Sequence, residues 1–159
     1  MSERFIAALA ALLVPLLIVC STGHAQQAEQ PDNEQAVEPP IIIDAEKTDY
    51  DLRSGLTRFD DDVNIQRGAM HVKADRGTAR QADGRITVVE LHGSPTIWTD
   101  VLDDGTRVDG EAERIHFNVD ANVITLTGNA RISHAQGETT ADELVYNLTT
   151  EKMEARSLG

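Results

Sequence analysis

An alanine followed by an acidic residue recurs at Ala45-Glu46, Ala74-Asp75, Ala112-Glu113 and Ala141-Asp142, with spacings of 29, 38 and 29 residues, so the pattern repeats after 67. The 67-residue offset runs without a gap over residues 45–74. It lays Tyr50 on Phe117, Leu52 on Val119, Gly55 on Asn122, Phe59 on Leu126, Asp62 on Asn129, Val63 on Ala130 and Ile65 on Ile132. A second offset, of 29 residues, lays Phe117-Asn118 on Tyr146-Asn147. The matches keep chemistry: aromatic on aromatic, inward aliphatic on apolar, and at Gly55/Asn122 two residues that tolerate left-handed backbone at a turn. Each unit reads as a hairpin, and stacked hairpins bury the apolar face of one against the next.

Inside the units the period is two. Val63-Asn64-Ile65-Gln66, Met70-His71-Val72-Lys73-Ala74 and Ala130-Arg131-Ile132-Ser133 alternate apolar and polar residues, as half-buried strands do. Asp83-Gly84 and Asp104-Gly105 fall between such runs and supply the positive φ of tight turns. Residues 142–148 have a short amphipathic pattern, but their β-branched and aromatic content favours a strand. Residues 41–159 are therefore expected to form one all-β antiparallel domain. It should hold about ten to twelve short strands with a turn every eight to twelve residues or so.

The N-terminal residues follow another logic. Residues 1–25 have a short polar start, an apolar run and the small residues of Gly23-His24-Ala25, the layout of a secretory signal cleaved after Ala25. The run is broken by Pro15 and is shorter than the roughly 20 residues that span a bilayer. Cys20, the single cysteine, leaves with this segment, and Val19 before it is bulkier than a lipoprotein site carries. The mature chain then holds its fold by packing, without a disulfide. Residues 26–40, rich in Gln, Glu and Pro, read as a disordered linker, with order beginning at Ile41-Ile42-Ile43. A formal net charge of −13 with no basic cluster argues against nucleic acid as a partner.

The blocks Ile41-Ile42-Ile43-Asp44-Ala45-Glu46, Val63-Asn64-Ile65-Gln66-Arg67-Gly68, Ala74-Asp75, Gly93-Ser94-Pro95, Gly110-Glu111-Ala112-Glu113, Leu126-Thr127-Gly128-Asn129-Ala130 and Ala141-Asp142-Glu143-Leu144-Val145-Tyr146 stand in a fixed order and spacing. Together they resemble the LptA (OstA-like) family of periplasmic lipopolysaccharide-transport proteins. The resemblance spans residues 41–155. It implies an elongated, open-ended β-jellyroll whose apolar interior holds acyl chains, with molecules stacked end to end between the inner-membrane complex (LptC) and the outer-membrane translocon (LptD). Where the family has Gly-Asn-Val, this chain has Asp61-Asp62-Val63, which places aspartates where positive φ is needed.

The resemblance further implies a groove entrance at Ile41 and a wall containing Trp98 and Phe117. Ile43, Phe59, Val63, Ile65, Val72, Leu91, Ile115, Leu126 and Ile132 complete the lining. Any one of these aliphatics equally fits an ordinary sandwich core. Head-to-tail contacts are expected at Ile41, Ile43 and Ala45 on one edge and at Leu144, Tyr146 and Leu158 on the other. The implied partners are lipopolysaccharide, a second copy of the chain, LptC and LptD. Two other readings stay open: a membrane-anchored partner of the same system resembling LptC, and a ligand-free assembly module. The acidic surface should leave a phosphorylated headgroup in solvent, with Lys73 and Arg85 as solvated charges.

No enzyme chemistry is expected. His71, His92, His116 and His134 show no ligand spacing, and Asp100, Asp103, Asp104 and Asp109 do not follow the order of a calcium loop. Gly-x-Ser-x-Gly elbows and glycine-rich phosphate loops are missing from the sequence, so no cofactor is expected.

Overall fold

The computed structural model describes residues 38–157. The expected signal, most of the expected linker and Leu158 lie outside the described residues. Nine strands follow one another: β1 (Ile42–Asp44), β2 (Lys47–Asp51), β3 (Leu56–Arg67), β4 (Met70–Ala82), β5 (Arg85–Val101), β6 (Arg107–Asn118), β7 (Val123–His134), β8 (Gly137–Asn147) and β9 (Lys152–Arg156). They form one antiparallel sheet in the order β1-β3-β4-β5-β6-β7-β8-β9, and β2 pairs with the other end of β3. The expectation of all-β antiparallel structure agrees with this. The expected ten to twelve short strands do not, because β3 to β8 are 11 to 17 residues long.

The reason is that long strands pass through bulges without ending. The register shifts between Asp60 and Val63 on β3, Lys73 and Arg76 on β4, His92 and Thr96 on β5, Glu111 and Arg114 on β6, and Thr127 and Ala130 on β7. These sites form a line across the sheet, and the gap between β1 and β2 continues it. All four Ala-acid pairs of the repeat lie on this line. A bulge bends its strand and adds twist. Here the alanine is the small residue facing the crowded inside of the bend, buried at Ala74 and Ala112, and its acidic neighbour is exposed. Asp61 and Asp62 have φ of 61° and 49°, and their repeat mates Gly128 and Asn129 have 82° and 50°. The aspartates thus take the left-handed backbone expected of them.

The other repeated signal closes the hairpins at the far end. Asp51 Oδ1 accepts from the N–H of Arg53 at 2.8 Å, Asn118 Oδ1 from Ala121 at 3.0 Å, and Asn147 Oδ1 from Thr150 at 2.8 Å. Each Asx residue follows an aromatic one, Tyr50, Phe117 or Tyr146, and each turn ends on a positive φ at Gly55 (64°), Asn122 (53°) or Glu151 (54°). The 67- and 29-residue offsets therefore mark one turn built three times.

The line of bulges folds the sheet into two facing leaves. The first holds residues 42–44, 63–67, 70–74, 96–101, 107–112, 130–134 and 137–141; the second holds the remaining segments of the same strands with β2 and β9. Trp98 is in the first leaf and Tyr146 in the second, two intervening strands away along the sheet. Their ring centroids are nevertheless 5.3 Å apart, which requires the leaves to pack face to face.

Candidate functional site: the apolar interior and its seam

Alternation puts every second residue between the leaves. In the first leaf one inward row runs Ile43, Ile65, Val72, Trp98, Gly110, Ile132 and Thr139 by direct cross-strand pairing. In the second, Phe59, Gly77, Leu91, Ile115, Leu126, Leu144 and Ala155 form the matching row. A further row there joins Ala79, Val89, Phe117, Ile124, Tyr146 and Met153. The apolar surface thus runs from Ile43 on β1 to Ile132 on β7 in the first leaf, and from Phe59 on β3 to Met153 on β9 in the second.

All twelve residues expected to line a groove lie in this interior. Phe59, Val63, Ile65, Val72, Leu91, Trp98, Ile115, Phe117, Leu126 and Ile132 are buried, and Ile41 and Ile43 are half-buried. The sequence reading omitted Val89, Val108, Ile124 and Met70, which occupy the same surface. On the oligomer edges the placement differs from expectation. Leu144 and Tyr146 are buried one strand in, because β9 pairs Ala155 with Leu144 and Met153 with Tyr146. The short motif Met153-Glu154-Ala155 carried too little alternation to read as a strand. At the other edge Ile43 and Ala45 are half-buried, and Ile42, Tyr50 and Leu52 are exposed.

Among the described residues, the interior holds two polar atoms without partners. Trp98 Nε1 and Thr96 Oγ1 are buried and unbonded, two residues apart on the inward face of β5. Among the described residues no group of three or more His, Cys, Asp or Glu side chains is placed to hold a metal ion.

Opposite the line of bulges, the hairpin ends of the two leaves meet along a seam. Three clefts lie on it, of about 400, 290 and 270 Å³. The first two share Pro39 and Arg67, and the third opens onto Ile132, Tyr146 and Met153. The seam is polar where the interior is not, and the sequence reading missed it. Arg67 ends β3, its side chain is 9% exposed, and its guanidinium lies 5.4 Å from the centroid of the Phe117 ring in the other leaf. It donates to Asn122 Oδ1 and to Glu38 Oε2, each at 2.7 Å. A lone Arg at the end of an alternating run carries no sequence signal; only folding brings it to residues 38 and 122.

Asp100 lines the same seam. Burial pushes its carboxyl above the ordinary carboxylate range, against the Val101 N–H bond and the charges of Arg67 and His71. A raised folded-state value means the native state holds its proton longer than the unfolded chain, so this group's contribution falls as pH rises through that window. Asp100→Asn, which keeps the acceptor for Val101, is expected to be more stable than the parent near neutral pH and equal to it below about pH 3. Urea titrations at the two pH values check this; a gain that persisted in acid would refute the assignment.

Residues 42–152 match the family described as LptA/(LptD N-terminal domain) LPS transport protein. The chain belongs to this family. Among its relatives, the lipopolysaccharide export system protein LptA of Haemophilus influenzae is 28% identical over 126 residues, covering 77% of this chain and 73% of the relative. LptA of Escherichia coli is 25% identical over 120 residues, covering 74% of this chain and 65% of the relative, so slightly under two thirds of that protein's length is matched. The fold is that of Pseudomonas aeruginosa LptH, the LptA-homologous periplasmic component of a lipopolysaccharide transport device. The TM-score is 0.71 at 19% identity, over 75% of this chain and 83% of LptH. An LptA-family β-jellyroll thus accounts for the two leaves and their shared apolar face.

Proposed function

We propose that the chain carries lipopolysaccharide across the periplasm by holding its acyl chains between the two leaves. The observation that carries this reading is the apolar interior of an open sheet, which reaches the β1 edge in one leaf and the β9 edge in the other and has clefts at the seam. Each methylene exposed to water costs about 0.8 kcal/mol, so a lipid with several chains needs such a conduit to cross an aqueous space. The names of the LptA and LptH relatives support lipopolysaccharide as the cargo. The leaves pack on each other, so on this reading loading requires them to part at the seam.

Delivery on this reading is by end-to-end stacking. The β1 and β2 edge of one copy, with Ile42, Tyr50 and Leu52 exposed, adds to the β9 edge of the next, continuing both sheet and interior. Such a contact is heterologous and leaves free ends for LptC-like and LptD-like partners. Residues 1–25 act as a cleaved export signal, and the protein performs no catalysis. Native mass spectrometry of the chain purified from a Gram-negative envelope should show lipopolysaccharide bound and a mature N-terminus at Gln26. A lipid-free spectrum, under conditions that keep lipopolysaccharide on LptA, would refute the carrier function.

A further inference from the structure

We propose that Arg67 is an anion-recognition residue of the seam, whose guanidinium exchanges its bond to Glu38 for a phosphate of the bound glycolipid. The inference rests on the carrier reading above and names which group on the cargo this site takes. A guanidinium that is nine-tenths buried cannot be left unpaired, because the lost hydration of the ion must be replaced by charge and hydrogen bonds. Here the replacement is unequal. Asn122 is neutral and fixed in the β6–β7 turn, whereas among the described residues the carboxylate bonded to Arg67 is that of Glu38, whose side chain is 62% exposed. Glu38 also accepts from Asn122 Nδ2 at 3.2 Å, so one exposed carboxylate ties both leaves together.

The location fits an amphiphile. Arg67 stands over Phe117, one of the interior residues, and borders two of the three clefts. An acyl chain entering beside Phe117 would place its charged end at the guanidinium. To enter, it must part the leaves where Glu38 joins them, and the departing carboxylate leaves a buried cation in need of an anion. A phosphate is the better occupant, since guanidinium pairs with it in two-point geometry and it carries more charge than a carboxylate. The surroundings also select against a soluble ion. Asp100 and Asp103 line the same cleft, so free phosphate meets repulsion that only a lipid, held by its buried chains, offsets.

The test uses the full chain and the single tryptophan, Trp98, as the fluorescent reporter. The probes are bisphosphorylated lipid A, the same lipid after phosphatase treatment, and inorganic phosphate alone. The parent protein should prefer the phosphorylated lipid. Arg67→Gln should lower that preference about tenfold, the scale of a hydrogen bond to a charged group, while still binding the dephosphorylated lipid. Glu38→Gln, at an exposed position, should raise affinity for the phosphorylated lipid roughly three- to tenfold by removing the internal competitor, with little change for the other. Arg67→Lys serves if Arg67→Gln does not fold: it keeps the charge but not the two-point geometry and should show an intermediate preference. An unchanged preference in the Arg67 variants, or a Glu38→Gln variant that binds both lipids more weakly, overturns the proposal. Inorganic phosphate binding as tightly as the lipid would assign the site to a soluble anion and overturn it too. If the parent binds neither lipid, the carrier function itself fails, which is a different result from two lipids bound equally.

Discussion

Gly110→Val is expected to destabilise the domain by about 1–2 kcal/mol, measured as a lower urea midpoint with an unchanged slope. A Cβ at Gly110 would sit 2.6 Å from Trp98 Cε3 and 3.0 Å from Leu126 Cδ2, so it enters the contact between the leaves from the first toward the second. Trp98 cannot yield easily: it is fully buried and its ring lies against Tyr146. Overpacking of this kind costs about 1–3 kcal/mol, occasionally more, and the better strand propensity of valine offsets at most about 1 kcal/mol. The clash makes a second, sharper expectation. Trp98→Leu alone should also destabilise, by leaving a cavity, yet combined with Gly110→Val it should cost less than the sum by more than about 1 kcal/mol. Strict additivity would show that Gly110 and Trp98 do not share this space and that the leaves are not packed as described.

Gly110 also shows what a sequence can and cannot reveal. Period-two alternation is local, so it identified the strands from their own side chains; the twelve residues that the family resemblance implied as lining all fall in the interior of those strands' sheet. The 67-residue offset carried more than it showed: its Ala-acid marks are bulges that crease the sheet, and its aromatic-Asx marks are turns. Because the strands run on through the creases, they are longer and fewer than the ten to twelve expected. What remained hidden depends on the crease. Whether Gly110 tolerates a Cβ, whether Arg67 is paired, and whether Leu144 is an edge or one strand in are all decided by residues dozens of positions away. The separation of β8 from β9 is hidden for a simpler reason. Five residues, of which only Met153 is even half-buried, contain no alternation strong enough to mark a strand of their own.

Ending the chain at Glu151 is the largest single change expected, because β9 is both a cover and an edge. Its removal deletes five cross-strand pairs, from Asn147↔Lys152 to Glu143↔Arg156, and leaves Leu144 and Tyr146 without Ala155 and Met153 beside them. Full exposure of a large apolar side chain costs about 1.5–3 kcal/mol, so partial exposure of these two should lower stability by about 2–4 kcal/mol. The ion pair of Arg156 with Glu143, at 3.2 Å, adds little because its arginine is exposed. The consequence for assembly is separable from stability. If copies join through β9, sedimentation of the truncated chain at a temperature where it stays folded should show monomer at concentrations where the full chain associates. The first leaf gives the contrast: residues 137–141 of β8 have no partner strand beyond them among the described residues, in the full chain or the truncated one. Association that survives the truncation unchanged would therefore move the interface from β9 to that stretch of β8. The interior would then continue from copy to copy through the first leaf, on the side of Ile132 and Thr139, and not through Leu144 and Ala155.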